Sequence, residues 1–168
     1  MLSEFKLEMP GDLQESLACL PGATPLAGGT DLLVQWRAGM IEPALVVDIK
    51  RIDEMREITV EDGGFRVGAA VTGAELGEHA ALKAAWPGVV EGVALIGSIQ
   101  IKGRASIGGN LCNATPAADS VPAIIAADAV ATVVGPGGSR EVPVEDIGIS
   151  PGKTSLANGE VVVSLQFP

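Results

Sequence analysis

The stretch Pro25–Gly39 reads PLAGGTDLLVQWRAG, and it decides how the first part of the chain folds. A short apolar run leads into Gly28-Gly29, and the pattern then predicts a helix that is capped by Thr30 or Asp31. Gly39 stands where a glycine commonly ends a helix. Glycine inside a regular element costs roughly 0.5–1 kcal/mol relative to alanine. The Gly-Gly pair therefore indicates either a positive φ or the close approach of another group.

The segments around this stretch predict a small β-α-β-α-β lobe. Asp12 and Glu15 form a capping-box-like helix start, and Pro21-Gly22 ends that helix. Thr24–Ala27 reads as a short strand before the glycines, and the apolar run Ala44–Ile49 reads as a buried strand. We expect this lobe to occupy residues 1–53.

The pattern changes after this point, and residues 54–168 predict a larger α+β lobe with antiparallel pairing. Strand-like runs flank the turn at residues 61–64, and a second hairpin is predicted between residues 130 and 142. A capping box at Thr72 and a cap at Ser120 predict two helix starts. Val161–Phe167 is the last predicted strand.

A second glycine stretch, RASIGGNLCNATPAADSVP, runs from Arg104 to Pro122. We predict a strand at residues 105–107 that ends in Gly-Gly, followed by a polar loop over residues 110–120. One interpretation of both stretches is a tight connection with glycines for steric reasons alone. The other is that bare N–H groups near Thr30 and around Gly108–Asn110 hold a phosphate, as in other glycine-rich loops. Two such loops on different lobes favour a cleft for a dinucleotide.

Charge and composition limit which partners this chain can bind. The formal net charge is −10 and aromatic residues make up 3%, which argues against binding of nucleic acid. An anionic ligand would therefore be held by short-range contacts instead of long-range attraction. Cys19, Cys112 and the single His79 show no metal-ligand spacing, so we predict no metal site. Cys112 is interpreted as a structural thiol, although its position would allow it to approach a ligand.

The ends and apolar runs of the sequence give two further expectations. The start MLSEFKLEMP lacks the basic and apolar regions of a signal peptide. No apolar run approaches the roughly 18 residues of a membrane span. We therefore expect a cytoplasmic protein without a membrane span.

The segments LAGGTDLL (Leu26–Leu33) and SIQIKGRASIGGNLCNATPAADSVP (Ser98–Pro122) together resemble the FAD-binding subunit of molybdenum hydroxylases. This family includes the medium chain of aerobic carbon monoxide dehydrogenase and the flavin segment of xanthine dehydrogenase. The resemblance runs from about Phe5 to Pro168. It implies the two-lobed α+β FAD-binding fold of the p-cresol methylhydroxylase and vanillyl-alcohol oxidase type.

The resemblance also implies which residues hold FAD. The first glycine segment would wrap the pyrophosphate with backbone donors, and the second would lie along the flavin and the phosphates. Asp119 matches an FAD-contacting acid at the adenosine side, although from the sequence it is equally a helix cap. Ile96 and Val162 match apolar positions near the ring. The implied set is Leu26, Ala27, Gly28, Gly29, Thr30, Asp31, Leu32, Leu33, Ile96, Ser106, Ile107, Gly108, Gly109, Asn110, Asp119 and Val162.

The function implied by the resemblance is electron transfer within a multi-subunit dehydrogenase. FAD would collect electrons from 2Fe–2S clusters of a small subunit, which in turn receives them from a molybdopterin-containing large subunit. No catalytic residue is expected, because the cofactor supplies the redox chemistry. The alternatives are a stand-alone flavin oxidoreductase of the same fold and a degenerate, non-catalytic scaffold lobe. Family members continue into a C-terminal domain, and we expect that domain to be absent because this chain stops at Pro168.

Overall fold

A three-stranded parallel sheet forms the first part of the computed structural model, which describes residues 4–168. Its strand order is β1-β3-β2, and both strand pairs are parallel. The elements follow one another as β1 (Lys6–Glu8), α1 (Leu13–Cys19), β2 (Thr24–Leu26), α2 (Leu32–Arg37) and β3 (Leu45–Asp48). We refer to residues 6–48 as the parallel unit. The β-α-β-α-β order predicted from the sequence is confirmed.

Local signals explain where the helices of the parallel unit begin and end. The Asp12 carboxylate accepts a hydrogen bond from the Glu15 N–H at 2.8 Å, which caps α1. Gly22 and Gly39 adopt φ values of +76° and +71°, a conformation that favours glycine. Trp36 on α2 is buried, and its ring lies 4.6 Å from the Phe5 ring in an edge-to-face arrangement.

A five-stranded antiparallel sheet forms the second part of the fold. Its order is β4-β5-β10-β6-β7, so the last strand of the chain lies at its centre. This position explains why the run VVVSLQF is buried along nearly its whole length. Both predicted hairpins are confirmed. The strands are β4 (Ile58–Glu61), β5 (Gly64–Gly68), β6 (Val130–Gly135), β7 (Gly138–Pro143) and β10 (Val161–Phe167), and a separate hairpin consists of β8 (Gly148–Ser150) and β9 (Lys153–Thr154).

Short helices connect and cover the antiparallel sheet. The capping box at Thr72 forms as predicted, with reciprocal hydrogen bonds between Thr72 and Glu75. The helix predicted from Thr72 toward Leu82 is divided at His79, whose Nδ1 accepts from the Leu82 N–H at 3.1 Å and caps the next helix. The helices are α3 (Gly73–Glu78), α4 (Ala80–Ala85), α5 (Pro87–Ala94), α6 (Ile99–Lys102), α7 (Ile107–Cys112) and α8 (Val121–Ala126). We refer to residues 58–167 as the antiparallel unit.

The prediction for the second glycine stretch is wrong in its secondary structure. Residues 105–107 do not form a strand; one isolated bridge joins Ser106 to Thr72, and a helix then runs to Cys112 through the expected loop. Ser106 caps this helix, because its Oγ accepts from the Gly109 N–H at 3.1 Å. Gly108 lies against Ala69, where a Cβ would come within 2.6 Å of the Ala69 Cβ. Gly108 therefore allows the first turn of α7 to pack closely against the turn that follows β5.

The observed architecture agrees with the predicted α+β class, since it combines a parallel βα unit with a larger antiparallel unit. The division into lobes at residue 53 stays a prediction. Over residues 4–168, no helix is both long and apolar enough to pass through a lipid bilayer.

Candidate functional site

The two glycine segments face the same cleft between the parallel and antiparallel units. The cleft has a volume of about 520 Å³, which falls in the range of small-molecule and cofactor sites. Its walls come from the end of β2, the start of α2, the α7 region, the β8–β9 hairpin and the start of β10. The lining residues include Ala27, Gly28, Gly29, Thr30, Asp31, Leu32, Gln35, Ser106, Gly108, Gly109, Asn110, Cys112, Asn113 and Val162.

The segment Gly28–Leu32 presents a row of consecutive backbone N–H groups along this cleft. Gly29 has a φ of +77°, and its carbonyl accepts from the Leu33 N–H at 3.1 Å, so that the chain turns sharply into α2. The N–H groups of residues 28–32 have no acceptor among residues 4–168. Backbone N–H groups need a partner, and a concave row of them is a common anion site. This segment can therefore donate several hydrogen bonds to one ligand.

Gly28 has a second role that does not depend on any ligand. A Cβ at this position would overlap the Arg104 carbonyl group of the antiparallel unit. The Arg104 Nε also donates to the Gly28 carbonyl at 3.4 Å. The absence of a side chain at Gly28 thus allows the two units to meet at the cleft.

The N–H groups at the start of α7 are already used within the protein. Ile107 donates to the Val71 carbonyl at 3.1 Å, and Gly108 donates to the Ala69 carbonyl at 2.9 Å. Gly109 donates to the Ser106 Oγ, and Asn110 donates to the Ser106 carbonyl at 2.9 Å. These N–H groups are therefore not bare, as the phosphate-binding interpretation supposed, and the assignment of Gly108–Asn110 to the cofactor stays a prediction. These groups anchor α7 to residues 69–71, which directly follow β5, and close the first turn of α7.

Two asparagine side chains of the α7 region also line the cleft, and each is bonded through its oxygen. The Ser120 hydroxyl donates to the Asn110 Oδ1 at 2.7 Å. The Gln35 Nε2 on α2 donates to the Asn113 Oδ1 at 2.8 Å. The second hydrogen bond connects the parallel unit to the antiparallel unit across the cleft wall.

Among the described residues, the charged side chains that line the cleft are those of Asp31 and Glu160, and both are acidic. No lysine or arginine is among its lining residues in the part of the chain that the structure describes. Asp31 is exposed at the rim, whereas the Glu160 carboxylate is paired with Arg140 at 2.8 Å. The hydrogen bond from Arg140 and a second one from the Ala157 N–H lower the pKa of Glu160 to about 2. Glu160 is therefore ionised at neutral pH and is held by its partners at the wall.

Cys112 lines the cleft from the last turn of α7. Desolvation of its thiol raises the pKa of Cys112 to about 12, so the side chain is a neutral thiol at physiological pH. Among residues 4–168, no cluster of three or more histidine, cysteine, aspartate or glutamate side chains could hold a metal ion.

The structure brings most of the residues expected to bind the cofactor to this cleft. Five of them do not line it. Leu26 and Leu33 lie behind Gly29, where an added Cβ would come within 3.1 and 3.5 Å of their side chains. Ile96 and Ile107 are buried, and Asp119 is exposed outside the lining.

Several lining residues were not expected from the sequence. Asn113 stands in the polar run after the second glycine pair, which was a usable signal, but nothing in the sequence connects it with Gln35. The apolar walls come from segments that carry no motif. The additional lining residues include Met40, Ile41, Ile49, Ala69, Thr154, Leu156, Glu160 and Val161.

Comparison with known proteins gives the same family by sequence and by structure. Residues 3–168 match a family described as the FAD binding domain in molybdopterin dehydrogenase. The chain is 37% identical over 153 residues to the xanthine dehydrogenase FAD-binding subunit of Escherichia coli O157:H7, covering 90% of this chain and 52% of that protein. It is 30% identical to the carbon monoxide dehydrogenase medium chain of Hydrogenophaga pseudoflava, covering 98% of this chain and 58% of that protein.

Solved structures show the same fold. Carbon monoxide dehydrogenase from Hydrogenophaga pseudoflava matches with a TM-score of 0.96 at 30% identity, over 100% of this chain and 60% of that chain. Quinoline 2-oxidoreductase from Pseudomonas putida 86 matches with a TM-score of 0.95 at 26% identity, with the same coverage of both chains. This agreement confirms the predicted fold type. The chain thus spans between one half and three fifths of the length of the relatives named above.

Proposed function

Because the chain belongs to the family of FAD-binding domains of molybdopterin dehydrogenases, we propose that it binds FAD in the cleft between its two units. The observation that carries this proposal is the row of backbone N–H groups at Gly28–Leu32, which lines that cleft without acceptors among the described residues. The pyrophosphate of FAD offers several oxygens close together. A neutral row of donors can hold them without any basic side chain.

The residues present fit such a cofactor on two further counts. The cleft joins a donor-rich end to apolar walls at Ile49, Ala69 and Val162, which suits a ligand with both a phosphate part and an aromatic ring. The acidic net charge also does not prevent binding, because short hydrogen bonds in the cleft act locally. When bound, FAD supplies the capacity to accept and release electrons. The chain supplies binding, orientation and exclusion of water.

The roles of individual residues follow from their positions. We assign Gly28–Leu32 to the pyrophosphate, and Val162 to the apolar wall near the ring. Gly109 allows the cofactor to pass close to α7, because it places no side chain between α7 and the first glycine segment. Leu26 and Leu33 support Gly29 from behind. Asp119 and Ile96 lie outside the cleft lining. We propose that they contact parts of FAD that extend beyond the cleft.

We further propose that the protein works as the FAD-binding part of a multi-subunit dehydrogenase. The matched Escherichia coli protein is itself named as an FAD-binding subunit, and the matched Hydrogenophaga pseudoflava protein as a medium chain. Electrons would reach this chain from 2Fe–2S clusters of a small subunit, after oxidation of a substrate at a molybdopterin-containing large subunit, and would leave to an acceptor. Since this chain covers only part of its relatives, these partners are inferred from the family alone.

Titration of the cofactor-free protein with FAD tests the binding proposal. We expect saturable quenching of flavin fluorescence, with an affinity that is nearly constant between low and moderate salt. The physical reason is that salt screens separated charges strongly but screens short hydrogen bonds in a cleft much less. The control is riboflavin, which lacks the phosphates and should bind far more weakly.

Two outcomes would contradict this account of binding. An absence of saturable quenching would remove the proposed function. A steep loss of FAD affinity with added salt would indicate a clamp of lysine or arginine side chains, and the neutral donor row would then not be the main contact.

A further inference from the structure

Asn110 and Asn113 lie three residues apart in the α7 region and line the same cleft. Residues at this spacing are neighbours on one face of a helix. The Oδ1 of each side chain accepts a hydrogen bond from a residue outside α7, namely Ser120 for Asn110 and Gln35 for Asn113. Within residues 4–168, the Nδ2 of neither asparagine has an acceptor. Each amide is therefore arranged with its oxygen engaged and its NH₂ group free to donate.

These free amide groups matter because the cleft has few other donors on this wall. The backbone N–H groups of Ile107, Gly108, Gly109 and Asn110 are all bonded inside the protein. No lysine or arginine lines the cleft among the described residues. Hydrogen-bond donors on the α7 wall, opposite the N–H row of Gly28–Leu32, can therefore come from side chains. An amide NH₂ group is well suited to donate to a phosphate oxygen.

We infer that Asn113 donates its Nδ2 to the phosphate part of FAD, and that Gln35 is the positioning residue that holds this amide in the donating orientation. This inference rests on the proposed function and deepens it. The Gln35–Asn113 hydrogen bond of 2.8 Å joins α2 to the end of α7. Because α2 directly follows the N–H row of Gly28–Leu32, this hydrogen bond connects that row with the Asn113 amide. The donors for one pyrophosphate thus come from the backbone on one side and from side chains on the other.

The test compares FAD and ADP binding across matched variants of the protein. ADP serves as a second probe because it contains the pyrophosphate but no flavin. Asn113→Ala should weaken both ligands by roughly 10-fold, since one hydrogen bond to a charged group is lost. Asn113→Asp keeps an oxygen that can accept from Gln35 but removes the donor, so it should weaken both ligands at least as much. This variant also separates the loss of the donor from the loss of the link between the units.

The positioning role of Gln35 is tested by combining substitutions. Gln35→Leu should weaken FAD several-fold in the native background and should have no further effect when Asn113 is already alanine. The matched control is Asn158→Ala. Asn158 also joins the two units, accepting from the Gly22 N–H at 2.9 Å, but it lies outside the cleft lining and its loss should leave FAD affinity unchanged.

The outcomes distinguish this inference from the proposed function. If the native protein binds FAD and both Asn113 variants bind it equally well, the role of Asn113 is refuted while the proposed function stands. If the effects of Gln35→Leu and Asn113→Ala are additive, Gln35 does not act through Asn113. If the native protein binds neither FAD nor ADP, both the inference and the proposed function are overturned.

Discussion

A Gly109→Val variant is expected to lose at least about 100-fold in FAD affinity while it remains folded. Gly109 lies in the first turn of α7 and lines the cleft; it is not among the glycines with positive φ. A Cβ there would come within 2.9 Å of the Ser106 Oγ and 3.8 Å of the Ala27 Cβ. A branched side chain would thus occupy the space between α7 and the first glycine segment, where we place the cofactor.

The measurement is an FAD titration of the variant, together with its thermal unfolding. The fold should survive, because the nearest atom belongs to a serine side chain that can rotate away, at a cost of about 1 kcal/mol for the lost helix cap. Gly88→Val is the matched control, since an added Cβ at that exposed helical position has no heavy atom within 4 Å. Native FAD affinity in a folded Gly109→Val protein would show that the cofactor does not pass this part of α7.

Gly28→Ala is expected to have the largest effect on stability, a loss on the order of 2–4 kcal/mol, and to weaken FAD binding as well. The added Cβ would overlap the Arg104 carbonyl group, and both groups belong to backbone that cannot move without separating the two units. The N–H row that begins at Gly28 would then be displaced with it. Both effects have the same physical cause.

Denaturant unfolding of the cofactor-free protein measures the stability effect without any contribution from the ligand. Gly77→Ala provides the matched control, because Gly77 lies inside α3 with open space around its Cα. That control should be neutral or slightly stabilising, since alanine has the higher helix propensity. Unchanged stability in Gly28→Ala would mean that the contact with Arg104 does not hold the units together.

Local signals in the sequence predicted most of the elements correctly. The caps at Asp12 and Thr72 form as expected, because they depend on residues three positions apart. The turn at residues 61–64 forms with Asp62 and Gly63 at positive φ, which such residues tolerate best. These features need no information from the rest of the chain.

The second glycine stretch could not be assigned correctly from its own residues. Three apolar or small residues before a Gly-Gly pair fit a strand as well as a helix start, and periodicity cannot decide over so short a run. Whether this segment forms a strand or a helix depends on the carbonyl groups of Ala69 and Val71, which accept hydrogen bonds from the first N–H groups of α7. These acceptors lie more than thirty positions away in the sequence.

The site was predictable only in part for the same reason. Both glycine motifs were recognised, yet the requirement for glycine at position 28 comes from Arg104, and the orientation of Asn113 comes from Gln35. Each of these contacts joins residues more than 70 positions apart. A motif shows which residue types are needed, whereas the reason for a particular position often lies in a distant segment.

Amide hydrogen exchange, measured residue by residue with and without FAD, tests most directly whether the N–H row of Gly28–Leu32 holds the cofactor. In the cofactor-free protein these groups should exchange rapidly, because they have no acceptor among the described residues. Saturation with FAD should slow their exchange strongly, while the N–H groups of residues 107–110, which are already bonded, should change much less. Unchanged exchange at Gly28–Leu32 in the FAD-saturated protein would contradict the account.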